Sequence, residues 1–379
     1  MNSPKPASSR SYGSAKTRSR AMRESYFIGL DIAKNVFQVF TADSKGRELS
    51  NKKLSRSAVT QYFAQLPESV VGIEACGTAH HWARTLTAFG HTVKIINPQR
   101  VKAFLGFRNK TDAADAKAIC EVHMHPGTTF IRAKSLEEQD IDHLLARREL
   151  LVQNRTQLIN QTRAFLCERG IVIPQGRHSF MKSLPQIIAE KWDEFSGKFQ
   201  SVLTDNYADF QDLDEKITKL DKMIQLEAAN TGSCKRLMQV SGIGPQTALA
   251  LFAHVGNATH FKNGRQMSAY LGLTPREYSS GGKQRLLGIT KRGNIRLRTL
   301  LLLGARAAIM GIGRRRRGED GQPGRQNLLD TWILDMVQRI GLFKAAVALA
   351  NKMCRIAWVL LARNEEFNPM RLCRLAKAA

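Results

Sequence analysis

The sequence is short of acidic side chains, of paired cysteines and of long apolar runs. Its 379 residues include 32 Asp and Glu against 58 Lys and Arg, which leaves a formal net charge of +26. Such an excess of positive charge repels itself in a compact fold unless a polyanion lies close by, so nucleic acid is the expected partner. Residues 1–25 contain no acid before Glu24, and we predict that they form a disordered basic tail.

The cysteines are scattered, and none has a second cysteine close by in the sequence. They are Cys76, Cys120, Cys167, Cys234, Cys354 and Cys373. This spacing argues against a zinc site and against a disulfide framework, and it is typical of reduced thiols in a cytoplasmic protein. Arg306 interrupts the most hydrophobic segment, so no apolar run reaches the roughly eighteen residues of a membrane span. We expect no membrane partner and no secretory signal.

The first region alternates between strand-like and helix-like segments. Residues 26–40, YFIGLDIAKNVFQVF, predict a strand, a tight turn and a second strand, and residues 48–54 predict a third. A helix, a buried strand, a helix and a strand are then predicted in turn, at residues 57–65, 70–74, 80–89 and 92–96. This alternation indicates an α/β sheet with parallel members.

Four acids in this region fit a divalent metal. Asp31 ends the first strand, Glu74 stands at the carboxyl end of a later strand, and Asp112 and Asp115 lie three residues apart in an Ala-rich helical segment. Such carboxylates suit Mg²⁺, and two such ions about 3.5–4 Å apart can serve phosphoryl transfer. The same residues can also be explained without a metal. Asp31 would then be solvated, and Asp112 and Asp115 would complement the dipole at the start of a helix.

The middle region, residues 136–230, repeats apolar residues every seven positions. The repeat comprises Leu144, Leu151, Leu158 and Phe165, beside Leu145, Val152, Ile159 and Leu166, and then Leu203, Phe210, Ile217 and Ile224. We predict two long helices joined by a loop and packed as a coiled coil. A dimer arm is favoured over a hairpin within one chain, although both satisfy the pattern.

The third region opens with an apolar segment at residues 237–256 that contains a Gly-Ile-Gly turn. Gly242 and Gly244 lie between two predicted helices, where free backbone N–H groups can bind a phosphate. The pattern resembles a helix-hairpin-helix that grips the DNA backbone. A plain helix connector gives the same pattern.

A Gly-rich loop with two serines follows, and it leads into a run of cations without any acid. Ser279, Ser280, Gly281 and Gly282 form the loop. The cations are Lys283, Arg285, Lys291, Arg292, Arg296 and Arg298. Cations of this kind bind nucleic acid and stabilise charge on a phosphate, whereas a serine attacks only when it is activated. The serines equally fit a flexible turn. Residues 314–317 add four arginines as a predicted exposed loop, and residues 328–361 predict a final packing helix.

Five motifs in order strongly resemble the IS110 family of insertion-sequence transposases, and the serine loop is most similar to its IS1111 branch. They are FIGLDIAKNVFQVF, GIEACG, KTDAADAK, VSGIGPQTA and GLTPREYSSGGKQRLLGITKRGNIRLRTLLLLGARAA, within residues 27–361. The resemblance implies a RuvC-like, RNase H-like domain with a DEDD acid set, here Asp31, Glu74, Asp112 and Asp115. It also implies a C-terminal transposase domain with a serine nucleophile. The family places that serine before a glycine, so Ser280 is predicted and Ser279 is the alternative.

The same resemblance implies partners. A structured bridge RNA is expected to pair with target and donor DNA, so the protein itself binds backbone and shape. A homo-oligomer, dimer or tetramer, is expected to bring the acids of one chain to the serine of another. The expected location is the cytoplasm of a prokaryote, at the nucleoid.

The predicted fold is an α/β RNase H-like N-terminal domain, a helical coiled-coil middle and a mainly α C-terminal domain with a helix-hairpin-helix. The predicted boundaries are 1–25 for the basic tail, 26–135 for the RuvC-like domain, 136–230 for the coiled coil, 231–365 for the transposase domain and 366–379 for a second basic tail. Two other functions stay open: a RuvC-type, metal-dependent, structure-selective endonuclease and a noncatalytic nucleic-acid-binding protein.

Overall fold

The computed structural model describes residues 26–106, 111–316 and 328–368. The predicted basic tail at 1–25, most of the one at 366–379, and Lys110 and Arg317 lie outside the described residues. The chain divides into two compact units, with the boundary between Ala133 and Lys134. The second unit contains both the predicted helical middle and the predicted transposase domain.

The first unit is a mixed sheet with helices on both faces, and the predicted α/β sheet with parallel members is confirmed. Its strands are β1 (Phe27–Ile32), β2 (Val36–Ala42), β3 (Glu48–Ser55), β4 (Val70–Glu74), β5 (Thr92–Ile96) and β6 (Phe130–Ile131). Its helices are α1 (Arg56–Gln65), α2 (Ala79–Ala88), α3 (Pro98–Leu105) and α4 (Asp112–Met124). The strand order is β3-β2-β1-β4-β5-β6; β1, β4 and β5 are parallel and the other pairs are antiparallel. The sequence did not predict α3 or β6.

The two faces of the sheet are built differently. Ile28 and Leu30 of β1 point to one face, where they form an apolar core with residues of α1 and α2. The alternate residue Gly29 points to the other face, where a Cβ atom would lie 1.9 Å from the carbonyl oxygen of Ala116 in α4. Gly72 of β4 is also close to α4, since a Cβ there would lie 2.7 Å from the side-chain Nδ1 atom of His123. Helix α4 therefore rests directly on the backbone of two adjacent strands.

Helix α4 runs antiparallel to β1. At the start of the strand, the carbonyl oxygen of Phe27 accepts a hydrogen bond from the Cys120 thiol, at 3.5 Å. The ring of Phe27 also lies 5.6 Å from that of His123, near the carboxyl end of the helix. The amino-terminal turn of α4 must therefore lie at the opposite end, where β1 finishes.

The second unit is mostly helical. Its helices are α5 (Leu136–Cys167), α6 (Arg177–Lys191), α7 (Gly197–Asn230), α8 (Gly232–Met238), α9 (Pro245–Val255), α10 (Gly264–Tyr270), α11 (Ile295–Arg316), α12 (Leu328–Ile340) and α13 (Leu342–Ala362). A single 3₁₀ turn, Trp192–Glu194, precedes α7, and one hairpin is formed by β7 (Pro275–Glu277) and β8 (Leu286–Ile289). The arginines predicted as a loop after residue 313 instead continue α11 to Arg316.

The two long helices α5 and α7 pack against each other within the chain. The heptad residues of α7 are buried as predicted: Leu203, Phe210, Ile217 and Ile224. Ion pairs between Arg148 and Asp221 and between Arg155 and Asp214 join the two helices. The predicted heptad residues of α5 are buried only in part, since Leu151 is 4% exposed but Phe165 is 38% exposed. Supercoiling and a dimer arm stay predictions. The connection between them is not a simple loop, because it contains α6.

The base of this helical pair belongs to the core of the unit. Ile141 and Leu145 of α5 and Ile224 and Ala228 of α7 join the apolar cluster built around α9, α11 and α13. Among the described residues, α13 is the one helix long and apolar enough to cross a membrane by length and composition, and half of its apolar window is buried in this unit. Its contacts with α10, α11 and α12 are those of a core helix.

We expect Gly29→Ala to lower the free energy of unfolding by about 2–3 kcal/mol, because α4 must move away from the sheet to admit the methyl group. Urea unfolding measured by circular dichroism checks this. Gly77→Ala is the matched control, since a Cβ there meets no atom within 4 Å. The tight packing of α4 is contradicted if the two variants are equally stable.

Candidate active site

Two of the predicted acids stand side by side at the ends of parallel strands. The register of β1 and β4 pairs Leu30 with Ile73, so Asp31 and Glu74 are the next pair along. Each acid lies two residues beyond one of the glycines that contact α4, and alternate residues of a strand share a face. Both carboxylates therefore point to the face of the sheet that α4 covers.

The other two acids occupy the first turn of α4. The Thr111 hydroxyl caps this helix by accepting a hydrogen bond from the backbone N–H of Ala114, at 3.2 Å. Because α4 is antiparallel to β1, its first turn carries Asp112 and Asp115 to the end of the strand where Asp31 lies. Asp112 is exposed and Asp115 is half-buried. The Oδ1 atom of Asp115 is buried and has no hydrogen-bonding partner among the described residues.

The electrostatics of Asp31 show that the four acids are neighbours. Burial is the largest cause that raises the pKa of Asp31, and the negative charges of Asp115, Asp112 and Glu74 follow in that order. Together they raise this pKa from 3.8 to about 6. A carboxyl group repelled by three others holds its proton at mildly acid pH unless a cation neutralises the cluster.

The donor set fits a hard divalent cation. All four side chains offer carboxylate oxygens, which such ions prefer, and the buried Asp115 oxygen is an acceptor with no donor. The acids converge without closing around one point, because the described residues contain no group of three or more His, Cys, Asp or Glu side chains spaced to enclose a metal.

In the structure the serine loop is a hydrogen-bonded hairpin. At its tip the backbone N–H of Lys283 donates to the carbonyl oxygen of Ser280, at 3.1 Å. The two residues between them, Gly281 and Gly282, have φ angles of 57° and 76°. A two-residue turn with both φ values positive matches the twist of a hairpin and strongly favours glycine at both positions. The Gly-Gly pair therefore has a structural cause.

The two serines have different environments. The Ser279 hydroxyl donates to the Glu277 carboxylate at 2.8 Å and accepts from the backbone N–H of Arg285 at 3.1 Å, so it bridges the strands. Ser280 is exposed, and its hydroxyl has no hydrogen-bonding partner in the part of the chain that the structure describes. The hairpin thus uses Ser279 for its own structure and leaves Ser280 free. The i, i+2 spacing of Glu277 and Ser279 on a strand was a signal that our sequence reasoning missed.

The predicted basic residues fall into two groups. Lys283, Arg285, Lys291 and Arg292 are exposed. Arg296 instead pairs with Asp142 at 2.8 Å and Glu149 at 2.6 Å, which ties the start of α11 to α5.

Arg298 is also occupied within the protein. It is only 7% exposed and donates to the carbonyl oxygens of Leu271, at 3.2 Å, and Arg292, at 2.6 Å. These two carbonyls lie on either side of the hairpin in the sequence, so Arg298 closes the segment that carries Ser280.

The same start of α11 contains an ion cluster that the sequence did not predict. Asp142 accepts from Lys134 at 2.8 Å, and its Oδ1 lies 3.2 Å from His254 Nε2. Burial alone would raise the pKa of Asp142, but the hydrogen bonds from His254 and Lys134 hold it well below its usual range. The Asn294 amide contacts the ring of His254, at 3.1 Å, and caps α11 through Leu297 N–H.

The two glycines of the Gly-Ile-Gly turn have different surroundings in the structure. The backbone N–H of Ile243 donates to the carbonyl oxygen of Val240 at 2.9 Å, and Gly242 has φ 90°, which this turn requires. A Cβ on Gly242 would lie 2.7 Å from the carbonyl oxygen of Gly304, so Gly242 packs against α11. Gly244 is exposed at the start of α9. Of the two, Gly244 is the one that faces solvent.

Two family models match parts of this chain, and the first match extends from the first unit into the second. Residues 28–169 match a model of the DEDD domain of IS110-type transposases, described as a transposase. Residues 234–317 match the model described as the transposase IS116/IS110/IS902 family. The first match contains all four acids, and the second contains the serine hairpin.

Whole-length relatives agree with these matches. The chain is 37% identical to the transposase for insertion sequence element IS1111A of Coxiella burnetii over 352 residues, which is 93% of this chain and 94% of the relative. A probable family 20 transposase of Pseudomonas aeruginosa is 39% identical over 343 residues, 90% of this chain and 98% of the relative. The transposase for IS1328 of Yersinia enterocolitica is 35% identical over 341 residues, with the same coverage.

The chain belongs to the IS110 family of insertion-sequence transposases. The resemblance found in the five sequence motifs is thereby confirmed.

We expect Asp31→Asn to raise the free energy of unfolding of the chelator-treated protein at about pH 8. The folded pKa of Asp31 lies above the unfolded value, so its contribution to stability is present below pH 3.8 and is lost as the pH rises through about 6. The gain from removing the charge is about 1–2 kcal/mol, because solvent screens part of the effect at a half-buried group. Urea unfolding measures it, and the gain is smaller at about pH 5.

Asp43→Asn is the matched control for this experiment. Hydrogen bonds led by the backbone N–H of Arg47 lower the pKa of Asp43, so its removal is expected to destabilise the same unit above the unfolded pKa. A loss of stability in the Asp31 variant at both pH values contradicts the repulsion among the four acids.

Proposed function

We propose that this transposase cuts and rejoins DNA through two half-sites, the four acids of the first unit and Ser280 of the second. The observation that carries the proposal is the electrostatic coupling of Asp31 to Glu74, Asp112 and Asp115. Four carboxylates that repel one another are stable as ions only beside a cation. The strand order of the first unit supports its assignment to the RNase H-like, RuvC-like class.

The acids are the proposed ligands of Mg²⁺. Asp31 and Glu74 offer oxygens from the strand ends, and Asp112 and Asp115 offer theirs from the first turn of α4. When bound, the metal supplies a Lewis acid that draws charge from the phosphate oxygens. The acids themselves fix where the scissile phosphate binds.

Ser280 is the proposed nucleophile. Its Oγ attacks phosphorus and releases the hydroxyl proton to solvent, a phosphoserine ester forms, the bond to the leaving sugar oxygen breaks, and that oxygen takes a proton from solvent. In the reverse sense, a sugar hydroxyl of the exchanged strand attacks the phosphoserine and releases the serine. The number of phosphodiester bonds is unchanged, so no ATP is consumed. Lys283 and Arg285 stabilise the charge that develops on the phosphate.

The choice of sequence is proposed to come from a bridge RNA. The net charge of +26 and the exposed cations near Ser280 support binding to phosphate backbones, which carries little sequence information. We propose that pairing of this RNA with donor and target DNA supplies the specificity. We also propose that the protein assembles as a dimer or tetramer, with acids and serine from different chains, at the nucleoid in the cytoplasm.

One observation keeps an endonuclease as the second candidate. The Ser280 hydroxyl has no hydrogen-bonding partner among the described residues to activate it, whereas the charges of the other three acids already act on Asp31. If water attacks in place of the serine, the same acids cut DNA and leave the ends unjoined.

We expect Ser280→Ala to lower the frequency of recombination between two plasmids that carry donor and target sites by several powers of ten. Ser279→Ala is the matched control; because it only loses a bridge within the hairpin, it is expected to keep measurable activity. Denaturing electrophoresis of the wild type should show DNA attached to the protein, and peptide mapping should place it on Ser280. Normal recombination by the Ser280 variant overturns the nucleophile, and hydrolysed ends alone identify an endonuclease.

We expect saturating Mg²⁺ to stabilise the wild-type protein at about pH 8, by about 2.7 kcal/mol at a hundred times its dissociation constant. The Asp31→Asn variant should gain far less, since it offers one fewer anionic ligand. Thermal unfolding with and without Mg²⁺ measures both. Equal stabilisation of the two proteins contradicts the four-acid site. Sequencing of the RNA that copurifies with the protein tests the bridge RNA directly.

A further inference from the structure

The hairpin that carries Ser280 is a free ribbon. All residues from Pro275 to Gly288 are exposed, although the backbone of the ribbon is hydrogen-bonded. An isolated two-stranded ribbon is only marginally stable in water. Because the side chains of this ribbon are exposed, they do not stabilise it by forming a core. The ribbon presents two surfaces to solvent, and they differ in chemistry.

The pairing across the ribbon assigns each side chain to a surface. Glu277 pairs with Leu286 and Ser280 pairs with Lys283, so Tyr278 pairs with Arg285 between them. Paired residues share a face, and faces alternate along each strand. Ser280, Lys283, Tyr278 and Arg285 therefore lie on one face, which we call the serine face. Ser279 and Glu277 lie on the other, in agreement with their hydrogen bond.

Tyr278 has no role in the proposed attack by Ser280 on a phosphate, although it lies on the serine face. It is 74% exposed, which is unusual for so large an aromatic ring unless it binds a partner. It stands two residues from Ser280, about 7 Å along the strand, which is about two stacked nucleotides. Its neighbours on this face are cations, and the Glu277 carboxylate is on the opposite face.

We propose that Tyr278 stacks on an unpaired base of the DNA strand next to the phosphate that Ser280 attacks, while Lys283 and Arg285 contact the flanking phosphates. An exposed aromatic ring between cations is the arrangement that binds single strands, because every base offers a flat face and every nucleotide a charge. A stack at this position holds the strand in register with the serine and keeps the base out of a duplex. The proposal rests on the proposed role of Ser280 as nucleophile, but it concerns DNA binding. An experiment can therefore contradict the Tyr278 stack without contradicting the nucleophile, and the reverse.

A photocrosslinking experiment locates the contact between the DNA base and the protein under conditions in which the DNA is not cleaved. Oligo(dT) that carries 5-iodouracil is bound to the full chain in chelating buffer and irradiated, so that a ring stacked on the base becomes crosslinked. Trypsin cuts after Arg276 and Lys283 and releases residues 277–283 as one peptide. We expect the crosslink in this peptide, its loss in Tyr278→Ala and its retention in Tyr278→Phe. Phe343→Ala is the control, because Phe343 is equally exposed in the same unit.

Affinity separates stacking from charge. Fluorescence anisotropy with labelled oligo(dT) should show that Tyr278→Ala and Tyr278→Leu weaken binding roughly 10-fold or more, with an unchanged dependence on salt. Lys283→Gln should lower the slope of log affinity against log salt by about 0.7. A crosslink outside residues 277–283, or a leucine variant that binds like the wild type, overturns the stack. Both results are independent of whether Ser280 forms a covalent bond with DNA.

Discussion

The first unit depends on one close approach, the contact of helix α4 with the backbone of β1 and β4. Gly29 and Gly72 have no side chain, and any Cβ at Gly29 would enter the space of the Ala116 carbonyl. This contact sets how far Asp112 and Asp115 stand from the strand ends. A larger residue in either strand would push the first turn of α4 outward and separate the acids. Two glycines in the sheet therefore determine the spacing of four carboxylates that they do not touch.

The second unit fixes the serine hairpin by both packing and charge. At the stem, a Cβ at Gly293 would lie 2.1 Å from the carbonyl oxygen of Tyr270, and Arg298 joins the two ends of the hairpin segment. Towards the tip, the two strands are held by the Gly-Gly turn and by the hydrogen bonds of Ser279.

Much of the first unit was predictable, because its signals are local. Strand β4 and strand β5 were predicted with their observed bounds, since short buried runs of β-branched residues leave little choice. The grouping of the four acids followed from strand ends and helix spacing. The side of the sheet on which they meet did not, because it depends on which glycines contact α4, and that is a long-range fact.

The predictions were poorer for the basic residues, because a cation can bind nucleic acid or can pair with groups inside the protein. A run of Lys and Arg without acids indicates nucleic acid, but Arg296 pairs with two acids on α5 and Arg298 with two backbone carbonyls of its own region. Phosphate binding at Gly242 stays a prediction, and the same glycine also serves a turn that packs on Gly304. Helix α6 was missed although its apolar residues follow a helical period, because Pro185 lies inside it. Sequence patterns indicate the residue type that a position needs, but not the partner that satisfies it.

The exposed ribbon has a mechanical consequence. Because its residues from Pro275 to Gly288 bury no core, tilting the ribbon on its stem leaves the apolar cluster of the helices intact and costs little free energy. Such a tilt moves the exposed Ser280 at the tip while the helical body stays still. Arg298 holds the base about which the ribbon tilts, because it joins the backbone on both sides of the hairpin.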